Sequence, residues 1–298
     1  MNFNKLQKNK GEVLTPVLKA YVQEVAKNIA DGTESRKKGT LDDARMTIDC
    51  FTDRIDEFNH GDPTDVPLFH PSAIGVCLRN LAYATFKAPR NSVPSGADLL
   101  KSHLTFEIGT YGHVLFQNLC KRAGVLRGRE IAIVDEKRKI IGHCDGKVEI
   151  KKVDYALEIK TIGSYGFTQI EKTNVPQDSH VKQVHLYMKS LGLKHAIILY
   201  IFKDKSLTKE FVIDFDEAIY KEAFKKINYY FECCEKRVLP EREGDSPLEF
   251  PCRFCDFTKV CFDNRTSDKF METLKNETTK KPKTKSGKKF IKRNRNKS

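Results

Sequence analysis

The chain has 298 residues, a formal net charge of +13 and a globular balance of 39% hydrophobic and 31% charged residues. This length accommodates one large core or two small ones. The longest apolar run, residues 196–202, is too short to cross a bilayer, and no apolar run follows the charged N-terminus, so the sequence predicts neither membrane contact nor a secretory signal. We therefore expect a protein of the cytoplasm, or of the host cytoplasm if a virus encodes it.

Most of the positive charge lies at the C-terminal end. Residues 275–298 contain nine Lys and two Arg against one Glu, a net charge of +10, so the other 274 residues carry only +3 of the total of +13. Apolar residues are almost missing from this segment, and we expect a disordered basic tail over residues 263–298. The tail either adds sequence-independent affinity for phosphates or only increases solubility.

Helices are predicted in residues 1–66, which we interpret as an N-terminal helical extension. Thr15 and Pro16 form the start signal of a first helix, and residues 41–58 have the pattern of a second one. A cluster of Pro, Gly and Asp at residues 59–67 marks the boundary with a core domain over residues 67–262.

Helices and strands mix through that core. A helix capped by Ser72 and carrying Cys77 comes first. The remaining pattern predicts a helix at 106–123, strands at 129–135, 138–149 and 153–160, a helix at 178–191, strands at 196–202 and 209–215, and a long helix at 216–236. This order predicts the α/β class, with a mixed central sheet flanked by helices.

The third strand carries the strongest chemical signal. Alternation along residues 153–160 places Glu158 and Lys160 on one face of the strand and apolar side chains on the other. Asp145 lies on the preceding strand, so Asp145 and Glu158 can share a hard divalent cation through their oxygens, and Lys160 can orient the attacking water. Taken alone, the same triplet is also typical of a solvated strand face with an ion pair.

Two helices add polar candidates. His113 follows Gly109 and Gly112 on the second core helix, where glycines usually allow close backbone approach, and His113 could be a further metal ligand. Gln183 and Tyr187 are four residues apart on one helical face, from which they could brace Lys160 or contact nucleic acid. Each candidate also has a plainer interpretation. His113 could be an ordinary core histidine, and Gln183 and Tyr187 could belong to a helix face of mixed polarity.

Together these residues resemble a known family. The order His113, Asp145, Glu158-Ile159-Lys160 and Gln183-x-x-x-Tyr187 resembles the motifs of the PD-(D/E)XK nuclease superfamily, in particular its RecB-type iron–sulfur exonuclease branch. That branch, which includes CRISPR-associated exonucleases and the AddB nuclease domain, has one cysteine before the His motif and three after the last core helix. The matching cysteines here are Cys77, Cys252, Cys255 and Cys261. The resemblance spans about residues 70–262.

The resemblance implies a restriction-endonuclease-like sheet and a metal-dependent DNA exonuclease that acts on single-stranded ends in replication, repair or recombination. In that family pattern, Mg²⁺ or Mn²⁺ would be held by His113, Asp145, Glu158 and the Ile159 carbonyl. Lys160 would position the water, and Gln183 and Tyr187 would support Lys160 and the DNA strand. DNA is the implied partner, with a helicase or other recombination protein as a further one.

One position departs from the family name. The "PD" pair is Cys144-Asp145 here, and we expect Cys144 to point into the core. Three other functions stay open on the sequence. They are a structure-specific endonuclease, a non-catalytic nucleic-acid-binding subunit that keeps the fold, the cysteine clamp and the tail, and a zinc-stapled interaction module in which the Glu-x-Lys triplet is incidental.

Nine cysteines in a reducing compartment are not expected to form a disulfide framework. Four thiolates suit a tetrahedral zinc ion and an iron–sulfur cubane equally well, and the resemblance favours a 4Fe–4S cluster over zinc. In either case the four cysteines would form a clamp that joins the first core helix to the end of the fold.

Overall fold

A computed structural model describes residues 11–31, 67–91, 95–205 and 207–278. The helices are α1 (Leu14–Ala30), α2 (Leu78–Thr85), α3 (Gly96–Arg122), α4 (Ser164–Thr173), α5 (Asp178–Leu191), α6 (Glu217–Lys236), α7 (Thr258–Phe262) and α8 (Asn264–Thr278). The strands are β1 (Leu126–Asp135), β2 (Ile140–Ile150), β3 (Val153–Ile162), β4 (His195–Phe202) and β5 (Leu207–Asp214). Short 3₁₀ turns occupy Pro71–Ala73 and Cys252–Phe254.

The five strands form one sheet in the order β1-β2-β3-β4-β5. β3 and β4 are parallel, and α4 and α5 make the crossover between them, whereas the other three pairings are antiparallel. The predicted mixed sheet flanked by helices is therefore confirmed.

Each face of the sheet packs on a different set of helices. On one face, Val184 and Met188 of α5 are buried with Ala156 and Ile198. On the other face, α1 and α3 cover Leu157 and Ile159, among other residues of the second core cluster. The alternation predicted for β3 is correct, because its successive side chains enter the two different cores.

Three predicted boundaries are wrong. Ser72 lies in the 3₁₀ turn rather than capping a helix, and Cys77 immediately precedes α2 instead of lying within it. α3 begins at Gly96, ten residues before the predicted start, because its first turns are exposed and lack the buried stripe that periodicity detects.

Part of the segment predicted as a disordered tail is helical. Residues 264–278 form α8, and Phe270 and Leu274 of that helix are buried against Tyr83 and Phe257. Phe270 and Leu274 are four positions apart, which is the spacing of one helical face. In the sequence this apolar pair lies among charged residues, and the segment was therefore predicted to be disordered. Residues 279–298 lie outside the described part of the chain.

The predicted first helix is confirmed, and a buried carboxylate from β5 anchors it. Glu210 accepts hydrogen bonds from the backbone N–H groups of Val13, Leu14 and Thr15 at 2.7–2.9 Å and from the Thr15 hydroxyl at 2.6 Å. A carboxylate at a helix N-terminus satisfies donors that have no partner within the helix. The helix predicted at 41–58 lies outside the described residues, and the boundary at residue 66 stays a prediction.

The N-terminal half of α3 presents an exposed apolar surface. Its large apolar side chains with more than half of their surface exposed include Leu99, Leu100, Leu104 and Phe106. An apolar surface of this kind is more typical of contact with another chain segment than of a solvated helix. Within the described part of the chain, no helix combines the length and apolar character needed to cross a membrane.

Candidate active site and cysteine cavity

The two candidate carboxylates lie on neighbouring strands near the end of their pairing. Gly146 of β2 is opposite Leu157 of β3, and this is the last pair of that ladder. Asp145 and Glu158 each come one residue beyond it, and they are only 8% and 1% exposed. Asp145 Oδ2 accepts a 2.6 Å hydrogen bond from the Ile159 N–H. The pairing of β2 with β3 stops here, and the Asp145 carboxylate takes the place of a backbone carbonyl as the acceptor for the Ile159 N–H.

Lys160 is the cation of this group. Its Nζ lies 2.5 Å from Glu158 Oε1, and its side chain is 22% exposed while that of Glu158 is 2% exposed. Although burial acts to lower the pKa of Lys160, the nearby Glu158 and Asp145 raise it above its ordinary value. Lys160 is therefore a permanently charged group at physiological pH, partly open to solvent, with a buried acid beside it.

The two carboxyl groups differ in protonation. Burial and the charge of Asp145 raise the pKa of Glu158 to about 8, against the opposing effect of Lys160. Burial acts to raise the pKa of Asp145 as well, but His113, Lys160 and the Ile159 N–H together hold it below its ordinary value. Two acids in one site whose pKa values move apart are typical of catalytic and metal-binding pairs.

A close approach of helix and sheet brings His113 to Asp145. A Cβ atom on Gly112 would overlap Thr161 Cγ2, and one on Gly109 would lie 3.3 Å from Thr161 Oγ1. The sequence predicted a close contact at these glycines, and α3 does lie directly on β3 there. His113, the next residue, has its Nδ1 3.4 Å from Asp145 Oδ1.

Gln183 and Tyr187 are buried on the α5 side of the sheet. Gln183 Nε2 donates a 2.7 Å hydrogen bond to the Tyr187 hydroxyl, and the two residues are 3% and 2% exposed. Burial raises the pKa of Tyr187, and the charges of Glu158 and Asp145 add to this shift, so Tyr187 is near both acids. Their hydrogen bond is to each other, whereas Lys160 pairs with Glu158.

The structure adds two polar residues that the sequence did not single out. Gln117, one turn after His113, donates from Nε2 to the Asp145 carbonyl at 2.7 Å and to Glu130 Oε1 at 2.9 Å. His180, three residues before Gln183, bonds through Nδ1 to the Tyr200 hydroxyl at 2.8 Å. Their helical spacing from His113 and Gln183 was the available signal.

These residues suit a hard divalent cation in composition, although they are not arranged around one. No group of three or more His, Cys, Asp or Glu side chains in the described ranges has the geometry of a metal site. Glu158 Oε2, however, is buried and makes no hydrogen bond in the described structure, beside a second carboxylate. An unpartnered carboxylate oxygen at this depth is costly unless it is protonated or meets a cation, so the chemistry fits although the ligand set is not defined.

The four candidate cysteines line one cavity of about 240 Å³. Cys77 reaches it from the start of α2, and the other three come from the segment before α8: Cys252, Cys255 and Cys261. Burial raises the pKa of Cys252, and the three other thiols of the cavity add to that rise, so the four sulfurs are close enough to interact electrostatically. The four thiols do not form a group with metal-site geometry. They nevertheless line one cavity, and rotation of the side chains alone can change the distances between the sulfurs.

Other contacts in this cavity are typical of thiolate surroundings. Cys255 Sγ accepts from Asn80 Nδ2 at 3.2 Å and from the Phe257 N–H at 3.4 Å. A Cβ atom on Gly244 would lie 2.7 Å from Cys252 Sγ, so only a glycine allows the backbone this close.

The remaining described cysteines are buried and free, as the sequence predicted. Cys144 is fully buried in the core on the α5 side. The others are Cys120, Cys233 and Cys234, whereas Cys50 lies outside the described residues.

No family model matches the sequence, and no curated protein is similar enough to match it. Solved structures with similar folds include SSO0001, at 16% identity and a TM-score of 0.43 over 85% of this chain and 98% of that one. They also include an alkaline exonuclease (LHK-Exo) from Laribacter hongkongensis, at 13% identity and a TM-score of 0.41 over 57% of this chain and 89% of that one. A complex of LHK-Exo with dAMP is similar at 14% identity and a TM-score of 0.42, over 58% of this chain and 90% of that one. At these values the similarities carry no argument about activity.

The close contact at Gly112 makes a prediction about His113. Gly112→Ala should displace α3 from β3, lower stability by roughly 1–3 kcal/mol because the added methyl overlaps Thr161, and misplace His113. Adding Thr161→Ser, which removes the overlapping methyl, should restore most of the loss. The measurement is thermal unfolding with denaturant titration.

Gly96→Ala in the same helix is the matched control, because a Cβ atom there meets nothing within 4 Å. Equal stability of Gly112→Ala and Gly96→Ala would show that α3 does not depend on this contact.

Proposed function

We propose that the protein is a metal-dependent deoxyribonuclease of the PD-(D/E)XK type. The observation that carries the proposal is a pair of buried carboxyl groups on adjacent strands, Asp145 and Glu158, whose pKa values move in opposite directions beside Lys160. A solvated strand face with an incidental ion pair would leave both acids exposed, and they are almost completely buried. This burial argues against the plainer interpretation of the Glu-x-Lys triplet as a solvated strand face.

The motif order and the chemistry of the side chains suggest a role for each residue. A bound Mg²⁺ or Mn²⁺ would supply a Lewis acid and lower the pKa of the attacking water. Asp145, Glu158, His113 and the Ile159 carbonyl would hold the cation. Lys160, charged and partly exposed, would orient the water and stabilise negative charge on the phosphate.

The finer features rest on the motif order alone. They are exonuclease action, a preference for single-stranded DNA ends, a role in replication, repair or recombination, and a helicase or other recombination protein as partner. The cavity of four cysteines would hold a 4Fe–4S cluster with a structural role, and zinc is the runner-up.

Titration of Glu158 predicts an unusual pH dependence of stability without metal. The folded protein holds a proton on Glu158 up to a pKa of about 8, whereas the unfolded chain releases it near the ordinary value of 4.5. The folded state therefore binds more protons between these values, so the free energy of unfolding should fall by a few kcal/mol as pH rises through that window. Glu158→Gln should flatten this fall, because the amide cannot ionise.

Chemical denaturation in EDTA between pH 5 and 9 measures this dependence. Glu149→Gln is the matched control, because Glu149 makes an exposed pair with Arg127 at 3.3 Å and should keep the wild-type profile. Added Mg²⁺ should stabilise the wild type more at high pH than at low pH, since binding must displace the Glu158 proton. The same pH profile in Glu158→Gln and wild type would contradict the assignment.

The activity itself is tested with single-stranded DNA labelled at its 5′ or 3′ end, in Mn²⁺. We expect cleavage by the wild type and loss of at least about 10³-fold in rate for Lys160→Ala or Glu158→Ala, because each removes a group from the reacting centre. Lys147→Ala is the control, since Lys147 is on the same sheet but pairs with Asp154, at 2.8 Å.

Each outcome of this assay has a meaning. A ladder that starts at one end identifies an exonuclease, and internal cuts identify an endonuclease. A wild type that binds DNA but cuts nothing in Mg²⁺ or Mn²⁺ would reject the nuclease in favour of a binding subunit.

The cysteine cavity predicts a second measurable group. Anaerobically purified protein should be brown, with broad absorption at roughly 400 nm and about four iron atoms per chain. Replacement of all four cavity cysteines by Ser should remove the colour and lower Tm by roughly 5 °C or more, because the group joins α2 to the segment before α8.

Cys233→Ser is the control, because Cys233 is on α6 and does not line the cavity. One zinc per chain in colourless protein would identify the runner-up. An unchanged Tm in the four-serine variant would contradict a structural role.

A further inference from the structure

His180 lies beside the candidate active site and has no part in the roles assigned above. It is in the first turn of α5, half-buried, on the helical face that also carries Gln183 and Tyr187. Its ring is held by the Tyr200 hydroxyl, 2.8 Å from Nδ1. Tyr200 is directly opposite Lys160 in the parallel pairing of β4 with β3. Because directly opposed residues point to the same face, the imidazole lies on the Lys160 side of the sheet.

The hydrogen bonds of Tyr200 suit one tautomer of His180. The Tyr200 hydroxyl accepts a 3.0 Å hydrogen bond from the Gln177 N–H. Its own proton can be donated to His180 Nδ1, which then accepts. In that arrangement the proton of the neutral ring is on Nε2. Burial and the charge of Lys160 lower the pKa of His180 to about 3, so the ring stays neutral at physiological pH.

The outer nitrogen of the ring is not enclosed. Among the described side chains, the enclosed nitrogen and oxygen atoms without a hydrogen bond include His185 Nε2 but not His180 Nε2. In the tautomer with the proton on Nε2, this nitrogen is an uncharged donor on the side of the sheet that carries Lys160. A neutral N–H beside a cation is a common arrangement for oxygens of a phosphate, because the cation supplies charge and the N–H supplies direction.

We propose that His180 is a phosphate-binding residue, whose Nε2–H donates to a non-bridging oxygen of the nucleic-acid backbone alongside Lys160. This inference rests on the proposed nuclease function. The competing role for His180 is only to support Tyr200 and the start of α5. The two roles need different ring nitrogens, and two substitutions separate them.

The test compares His180→Gln with His180→Asn. The Gln amide can place a donor near the position of Nε2 but cannot reach Tyr200, whereas the Asn oxygen can replace Nδ1 as the partner of Tyr200 but places no donor outward. We expect His180→Gln to keep kcat/KM for single-stranded DNA within about threefold of wild type. We expect His180→Asn to lose roughly ten- to a hundredfold, mostly in KM, as for a lost hydrogen bond to a charged group.

Binding without cleavage gives a second readout. Fluorescence anisotropy of a labelled single strand in Ca²⁺ should show about tenfold weaker Kd for His180→Asn. The slope of log Kd against log salt should be that of the wild type, since no charge is removed. Lys160→Ala should instead reduce that slope by about 0.7, the value for one phosphate contact on a single strand. Both His180 variants are compared well below the lower of their melting temperatures.

The reverse order, with His180→Asn near wild type and His180→Gln impaired, would overturn the inference and show a supporting role. Wild-type behaviour of both variants in both assays would also overturn it. A wild type that neither cuts nor binds the DNA would reject the nuclease proposal itself. This outcome is distinguishable from a failure of the His180 inference, because it is seen in the wild type without any variant.

Discussion

Two carboxylates, on Asp145 and Glu158, are buried where the pairing of β2 with β3 ends, and burying unpaired charge at such a depth costs several kcal/mol. The neighbouring groups offset that cost to different extents for the two acids. Asp145 has the Ile159 N–H and His113 as partners, which favour its ionised form. Glu158 has Lys160 on one oxygen only, and it faces the charge of Asp145, so its neutral form is favoured over a wide pH range. The site therefore holds about one negative charge against the positive charge of Lys160.

The end of the ladder also explains why residues from both helix layers meet here. A fully paired strand would separate α3 on one face from α5 on the other. Because β2 pairs with β3 only from Gly146 onward, Asp145 lies beyond the ladder, where His113 from α3 reaches it and Tyr187 from α5 is near both acids. Gly112 allows the α3 backbone to lie against Thr161, one residue beyond Lys160, and this contact fixes how far His113 extends.

The sequence predicted the parts that depend on local pattern. The alternation of β3 placed Glu158 and Lys160 on one face, and the span predicted for α5 agrees with the structure, because its apolar stripe is deeply buried. It did not predict the start of α3, whose first turns carry exposed apolar residues, or α8, whose apolar residues lie within a charged segment. His180 and Gln117 could not be assigned from sequence, because their meaning depends on Tyr200 and on the Asp145 carbonyl, which are 20 and 28 residues away. The cysteines were grouped by resemblance alone, since spacing does not show that residues 175 positions apart line one cavity.

That cavity and the candidate active site are in physical contact through one short segment. Gly75 lines the cavity two residues before Cys77, and a Cβ atom on Gly75 would lie 2.5 Å from Ser179 Cβ. Ser179 precedes His180 in the first turn of α5, and the same helix carries Gln183 and Tyr187. Any group that binds all four thiols would fix Cys77 and hence restrict the position of Gly75, because only one residue, Val76, lies between them. Elements packed this closely resist independent movement, so a group bound by the four thiols would also constrain the start of α5. Such a group would thus restrict the position of His180 relative to β3, without any redox chemistry of its own.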